Sequence, residues 1–212
     1  GLPLTIGANG KPNIIQNITM NAAAANSFNG ITTSGITTTN ITYNTISGVR
    51  FTSAGTTGSN FTGISATGAS TTSITISNNS LGIAGSDLVT YTAGTSGLFR
   101  GIITSGATNT ATLSILSNDF RGIVHNAAAT AVTSHNFIIN SAVTLSQDIS
   151  SNTFTNLNIN STGGIVFLSN SVTLLASGTK NVNNNSIVTS FTKGGATGSV
   201  GIYTDTAGSV AG

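Results

Sequence analysis

The pattern apolar-x-x-Asn-x-apolar occurs five times in this 212-residue chain, with its asparagine at Asn44, Asn79, Asn118, Asn152 and Asn185. The spacings are 35, 39, 34 and 33 residues. The apolar position ahead of each asparagine holds Ile41, Ile76, Ile115, Ile149 and Val182, and the one behind it holds Ile46, Leu81, Phe120, Phe154 and Ile187. A nearly constant period of this length marks a solenoid, because one unit buries its apolar face only by stacking on the next.

A second motif, Phe-x-Gly-Ile-x-x-(Ser/Thr)-Gly, keeps its own phase at a similar period. Its copies begin at Phe28 with Gly30-Ile31, at Phe61 with Gly63-Ile64 and at Phe99 with Gly101-Ile102, and the first ends at Gly35. Weaker echoes are expected at Phe137-Ile138, Gly164-Ile165 and Gly201-Ile202. Composition then selects strand over helix. Only ten residues are charged, 38% are hydrophobic, and β-branched residues alternate with small polar ones in Thr72-Ser-Ile-Thr-Ile-Ser77 and Ala111-Thr-Leu-Ser-Ile115. That alternation has the period of two that a strand requires. The aliphatic content also separates the chain from the disordered, charge-rich class.

These features predict an all-β parallel β-helix of about six coils, each of roughly 35 residues, with equivalent residues stacked about 4.8 Å apart. A slimmer solenoid with one motif per 18-residue coil is disfavoured, because stacking places like on like only when the full period is one coil. The asparagines are expected at a sharp corner, where Asn tolerates left-handed backbone and its amide bonds to the copies above and below. Glycine in the second motif is expected to let the chain turn ahead of an inward isoleucine. The division expected is an extended segment, first coil or inter-subunit strand over 1–25, repeats over 26–202, and a tail over 203–212.

Strings such as Ile76-Ser-Asn-Asn-Ser-Leu81 and Ile149-Ser-Ser-Asn-Thr-Phe154 resemble the right-handed, pectate-lyase-like parallel β-helix repeats of secreted bacterial surface and adhesin-type proteins. The resemblance covers roughly residues 26–202 and implies the fold and its right hand. It implies little about activity, since lyases, phage fibres, adhesin passengers and stalks share it. The polysaccharide-cleaving members cluster carboxylates on one sheet. This chain holds only Asp87, Asp119, Asp148 and Asp205, in different repeat phases, so no catalytic pair, metal site or cofactor is expected.

His125 and His135 read as solvated loop histidines, with no cysteine or glutamate to complete a zinc site. Arg100 and Arg121 read as outward charges on different sheets that discourage wrong edge pairing. Six cations without a cluster argue against nucleic acid. No apolar run is long enough to span a membrane. Threonine strings such as Thr37-Thr-Thr39 invite an ice-binding reading, in which flat threonine ladders meet a crystal plane, but they do not recur at the coil period, which disfavours it. The six Asn-x-Ser/Thr sequons, at Asn17, Asn40, Asn60, Asn78, Asn160 and Asn184, follow from composition.

Gly1 in place of a methionine suggests a processed form or a piece of a longer protein. The lack of cysteine fits an exported bacterial protein held by stacking. Both ends look strand-like and uncapped, which predicts joining to further coils or to other copies. The expected function is that of an extracellular or cell-surface structural protein, a stalk or filament subunit assembling head to tail with copies of itself and possessing adhesive surfaces. The alternative is a carbohydrate-binding or carbohydrate-active β-helix with its site in the loops 84–97 or 125–135.

Overall fold

The computed structural model describes residues 2–21, 26–34, 37–52, 59–92, 96–125, 134–175 and 177–206. Gly35, residues 207–212, and parts of the loops 84–97 and 125–135 lie outside them. The chain climbs through six levels, each contributing strands to the same three parallel sheets. The first level holds β1 (Leu4–Ile6), β2 (Ile14–Met20) and β3 (Ser27–Thr33), and the second β4 (Thr38–Thr42), β5 (Thr45–Phe51) and β6 (Ser59–Ala66). The third holds β7 (Ser73–Ser77), β8 (Ser80–Leu81), β9 (Val89–Tyr91) and β10 (Ser96–Ser105). The fourth holds β11 (Thr112–Leu116), β12 (Asp119–His125) and β13 (His135–Ser141). The fifth holds β14 (Ser146–Ser150), β15 (Thr153–Ile159) and β16 (Ile165–Asn170), and the sixth β17 (Lys180–Asn181), β18 (Ser186–Ile187), β19 (Phe191–Lys193) and β20 (Val200–Asp205).

The first sheet runs β1-β4-β7-β11-β14-β17, the second from β2 to β18, and the third from β3 to β20. Every strand pairing is parallel, so the molecule is a β-solenoid of six levels joined by five turns. Within 1–25, β1 and β2 belong to the first level, and β20 carries the last level to Asp205.

Apolar side chains fill the interior as one continuous cluster. Burial alternates along β4, β11 and β14 of the first sheet, as in β4, where Thr39 and Ile41 are buried and their neighbours half-exposed. Aromatic rings stack in columns: Phe28, Phe61 and Phe99 lie 5.2 and 5.1 Å apart between centroids, and Phe120 and Phe154 lie 5.1 Å apart. The separations match the level spacing, so a large ring at one level is met by a large ring at the next.

Candidate functional site

The corner between the first and second sheets carries a column of asparagines that begins one level earlier than the motif does. Asn13, Asn44, Asn79, Asn118, Asn152 and Asn185 follow one another, each Nδ2 donating to the Oδ1 of the next at 2.8, 3.0, 2.9, 3.0 and 2.8 Å. The same Oδ1 accepts the backbone N–H of the asparagine before it, at 3.4, 2.9, 3.1, 3.0 and 3.0 Å. From Asn44 onward, each Nδ2 also donates back to the carbonyl of Ile6, Ile41, Ile76, Ile115 or Ile149. Each interior amide therefore has both donors and its acceptor satisfied, which is how a polar column lives inside an apolar core. Asn13 escapes the pattern because Gly7–Pro12 inserts a small hairpin, closed by Ala8 and Lys11, between it and Ile6.

The asparagines do not supply the left-handed residue of the corner. That residue stands one place earlier, at Tyr43, Asn78, Ser117, Ser151 and Asn184, with φ between 54° and 60°. The column asparagine instead donates to the level below and so stabilises the bend made by its neighbour. Around it, Ile41, Ile76, Ile115 and Ile149 stack in register and are buried, as are Ile46, Leu81, Phe120 and Phe154. Val182 is half-buried and Ile187 is exposed, both at the sixth level.

In the third sheet, Ile31, Ile64, Ile102, Ile138, Leu168 and Tyr203 share a register. Gly30, Gly63 and Gly101 precede the first three, and a Cβ on any of them would come within 2.4–2.6 Å of a carbonyl one level up. The later echoes depart from this. Ile165 stacks with His135 and Phe99, in the phenylalanine position, so Gly164-Ile165 lies out of the glycine-isoleucine column. Gly201 faces Val166, which puts Gly201-Ile202 out of phase by one residue. The reason is a transfer of volume. From the fourth level the aromatic moves two places along the strand, to Phe137 and Phe167, whose rings stack at 5.0 Å. The position of Phe99 then passes to the smaller His135 and Ile165.

The histidines differ most from expectation, since both are buried rings in aromatic columns instead of solvated loop residues. His125 continues the column Phe51–Tyr91, with its centroid 4.8 Å from Tyr91. His135 continues Phe61–Phe99, at 5.8 Å from Phe99, and the two imidazoles lie 5.2 Å apart. Neither ring nitrogen of His125 nor the Tyr91 hydroxyl has a hydrogen-bond partner among the described residues. Burial lowers the His125 pKa to about 4 and raises that of Tyr91, so both are neutral near pH 7.

A second buried polar run joins the third sheet to the first. Thr104 donates to Asn140 Oδ1 at 2.7 Å, Asn140 to Asn170 Oδ1 at 3.3 Å, and Asn170 to Gln147 Oε1 at 2.8 Å. Asn140 and Asn170 also accept the N–H two residues on, from Ala142 and Val172, and so shape that corner. Both asparagines sit in a Phe-(Ile/Leu)-x-Asn-Ser string, Phe137–Ser141 and Phe167–Ser171, but two copies only 30 residues apart fall outside the longer period of the main motif.

The four acids are dispersed. Asp119 in the second sheet meets Arg121 and Thr153, Asp148 in the first accepts from Ser150, and Asp205 in the third meets Lys180 at 2.8 Å. Asp87 packs beside Gly122 in the excursion between β8 and β9. Arg100 and Arg121 lie on the third and second sheets respectively. No group of three His, Cys, Asp or Glu suited to a metal is found among the described residues, and no described helix is long and apolar enough to cross a membrane.

Among the described residues, concave surface is present at both ends of the solenoid. One cavity of about 160 Å³ is lined by Phe154, Phe167, Asn185, Ile187 and Ile202 at the sixth level. Another, of about 440 Å³, is lined by Thr5, Ile6, Gly7, Lys11 and Asn13 at the first. The edge strands and the residues beside them carry exposed apolar side chains, Leu2 and Ile14 at one end and Ile187, Val188, Val200, Ile202 and Tyr203 at the other. No protein-family model, curated protein or solved structure matches the chain significantly.

Proposed function

We propose that this chain is an extracellular structural protein, a β-solenoid stalk or filament subunit whose end faces stack head to tail on other copies. The observation that carries this reading is the pair of exposed strand edges, β1, β2 and β3 at one end and β17, β18 and β20 at the other, with apolar residues exposed on both. Unpaired edges are templates for more strands. The two faces differ from each other, so their contact is heterologous and grows without closing. Six levels at about 4.8 Å give each copy an axial length on the order of 30 Å.

Electron microscopy of the purified protein tests this. Filaments with an axial repeat of about 30 Å, or a small multiple, are expected. Discrete single-copy rods at all concentrations overturn the reading.

A second reading, adhesion to neutral carbohydrate, draws on the outward side of the first sheet. There, columns such as Thr38, Ser73, Thr112 and Ser146, and Asn40, Thr75 and Ser114, recur level by level. The threonine strings do not repeat as strings, but hydroxyl positions do repeat in register. Retention on a panel of immobilised neutral polysaccharides, weakened by Thr75→Val with Ser114→Ala, is the expected result. Absence of retention removes this reading.

A further inference from the structure

The asparagine column has a direction, and its two ends are complementary. At every interior step, one asparagine presents two N–H groups to the Oδ1 of the next, and the next returns one N–H to a carbonyl of the level below. At the sixth level, Asn185 accepts from Asn152 and returns its bond to Ile149, and its backbone N–H and second amide hydrogen have no acceptor among the described residues. At the first level, Asn13 donates to Asn44, and its Oδ1 accepts from no described residue. One end is thus a donor and the other an acceptor. Both asparagines line the end cavities.

Resting on the end-to-end reading, we propose that Asn185 of one copy donates to Asn13 Oδ1 of the next, so that the first level of the second copy docks as a seventh level of the first. The side chain of Asn13 then returns its free N–H to the Val182 carbonyl, completing the same three bonds made at each interior step. This register fixes the rest of the contact. Val182 meets Ile6, Ile187 meets Ile15, Phe191 meets Ile18, and Tyr203 meets Ile31, each continuing an apolar column that runs through the molecule. Like ends do not substitute, because two acceptors or two donors would face each other unpaired. Of the nearby cations, Lys180 is neutralised by Asp205, Lys193 is held by the carbonyls of Ser161 and Gly195, and Lys11 is exposed on the hairpin ahead of Asn13. The partner is therefore a second copy of this chain, in one orientation and one register.

Engineered thiols test the register, since the chain has no cysteine of its own. Ser186→Cys combined with Ile14→Cys places two exposed positions side by side across the junction, about 4.8 Å apart, within reach of a disulfide. Ser186→Cys with Gln16→Cys shifts the second thiol two residues along, beyond about 7 Å, where no disulfide closes. Oxidation is expected to give a covalent ladder of oligomers with the first pair and monomer with the second.

Filaments by microscopy that cross-link only through the shifted pair, or through neither, overturn this register and leave end-to-end assembly standing. No filaments and no cross-links overturn both. As an independent readout, Asn13→Leu is expected to raise the concentration needed for assembly at least tenfold, with circular dichroism unchanged. An unchanged assembly concentration overturns the role given to the column.

Discussion

Phe154 and Ile187 occupy the same place in the repeat, on neighbouring levels and directly in register, yet Phe154 is 1% exposed and Ile187 38%. Val182 differs from Ile149 in the same way, half-buried where Ile149 is buried. The motif is intact at both levels. What differs is the neighbour above: the fifth level is covered by the sixth, and the sixth has no described level over it. In a solenoid, burial belongs to the stack, so a residue's contribution depends on its level as much as on its type.

The largest way to break this contrast is to truncate the same position at both levels. Phe154→Ala is expected to cost about 3–5 kcal/mol, as for a large ring removed from a packed core. Ile187→Ala, starting exposed, is expected to cost about 1 kcal/mol. Urea unfolding of monomeric protein measures both, and equal losses would show that the sixth level is covered in solution.

The asparagine column offers a comparison of similar kind. Asn118→Ala strips the acceptor from two N–H groups of Asn79 and the donor from the Ile76 carbonyl, all buried. A loss of about 3 kcal/mol is expected, because unsatisfied buried groups cost about 1–3 kcal/mol each. Asn13→Ala removes one partly buried side-chain bond to Asn44 and is expected to cost about 1 kcal/mol or less. The ratio of the two, read from the same urea transitions, sharpens the view that the column is continuous inside and open at its end.

His125 separates the fourth level from the others by its response to acid. Its folded pKa of about 4 lies below the ordinary 6.5, so the unfolded chain takes up the proton first as pH falls. The stability that its neutral burial provides is complete above about pH 6.5 and is lost progressively down to about pH 4. The expected loss is about 3 kcal/mol over that window. His125→Phe, which continues the Phe51–Tyr91 column with another ring, is expected to flatten this slope. An unchanged slope in the variant would place the acid sensitivity elsewhere.

Much of this architecture was legible because stacking rewards repetition. A period near 35 residues, alternating β-branched strands and a recurring asparagine fixed a parallel solenoid and the asparagines that align in it. Asn13 was hidden because the hairpin Gly7–Pro12, four residues longer than the two that part Ile41 from Asn44, separates it from Ile6, and the column tolerates such an insertion. The Gly164-Ile165 and Gly201-Ile202 echoes misled because a dipeptide matches by chance in a chain of this composition. The interior, by contrast, counts volume across several strands: Phe137 and Phe167 take the space that Phe61 and Phe99 fill at lower levels.

The sequence by itself determined the period, the strand class, the polar column and the poverty of acids, since each is a local pattern repeated or absent along the chain. Tertiary structure alone decided that the left-handed residue precedes the asparagine, that two histidines take places in buried aromatic columns, and that the column runs from an acceptor end to a donor end. These depend on which atoms meet across levels some 30 to 40 residues apart, and such contacts exist only once the coils are stacked.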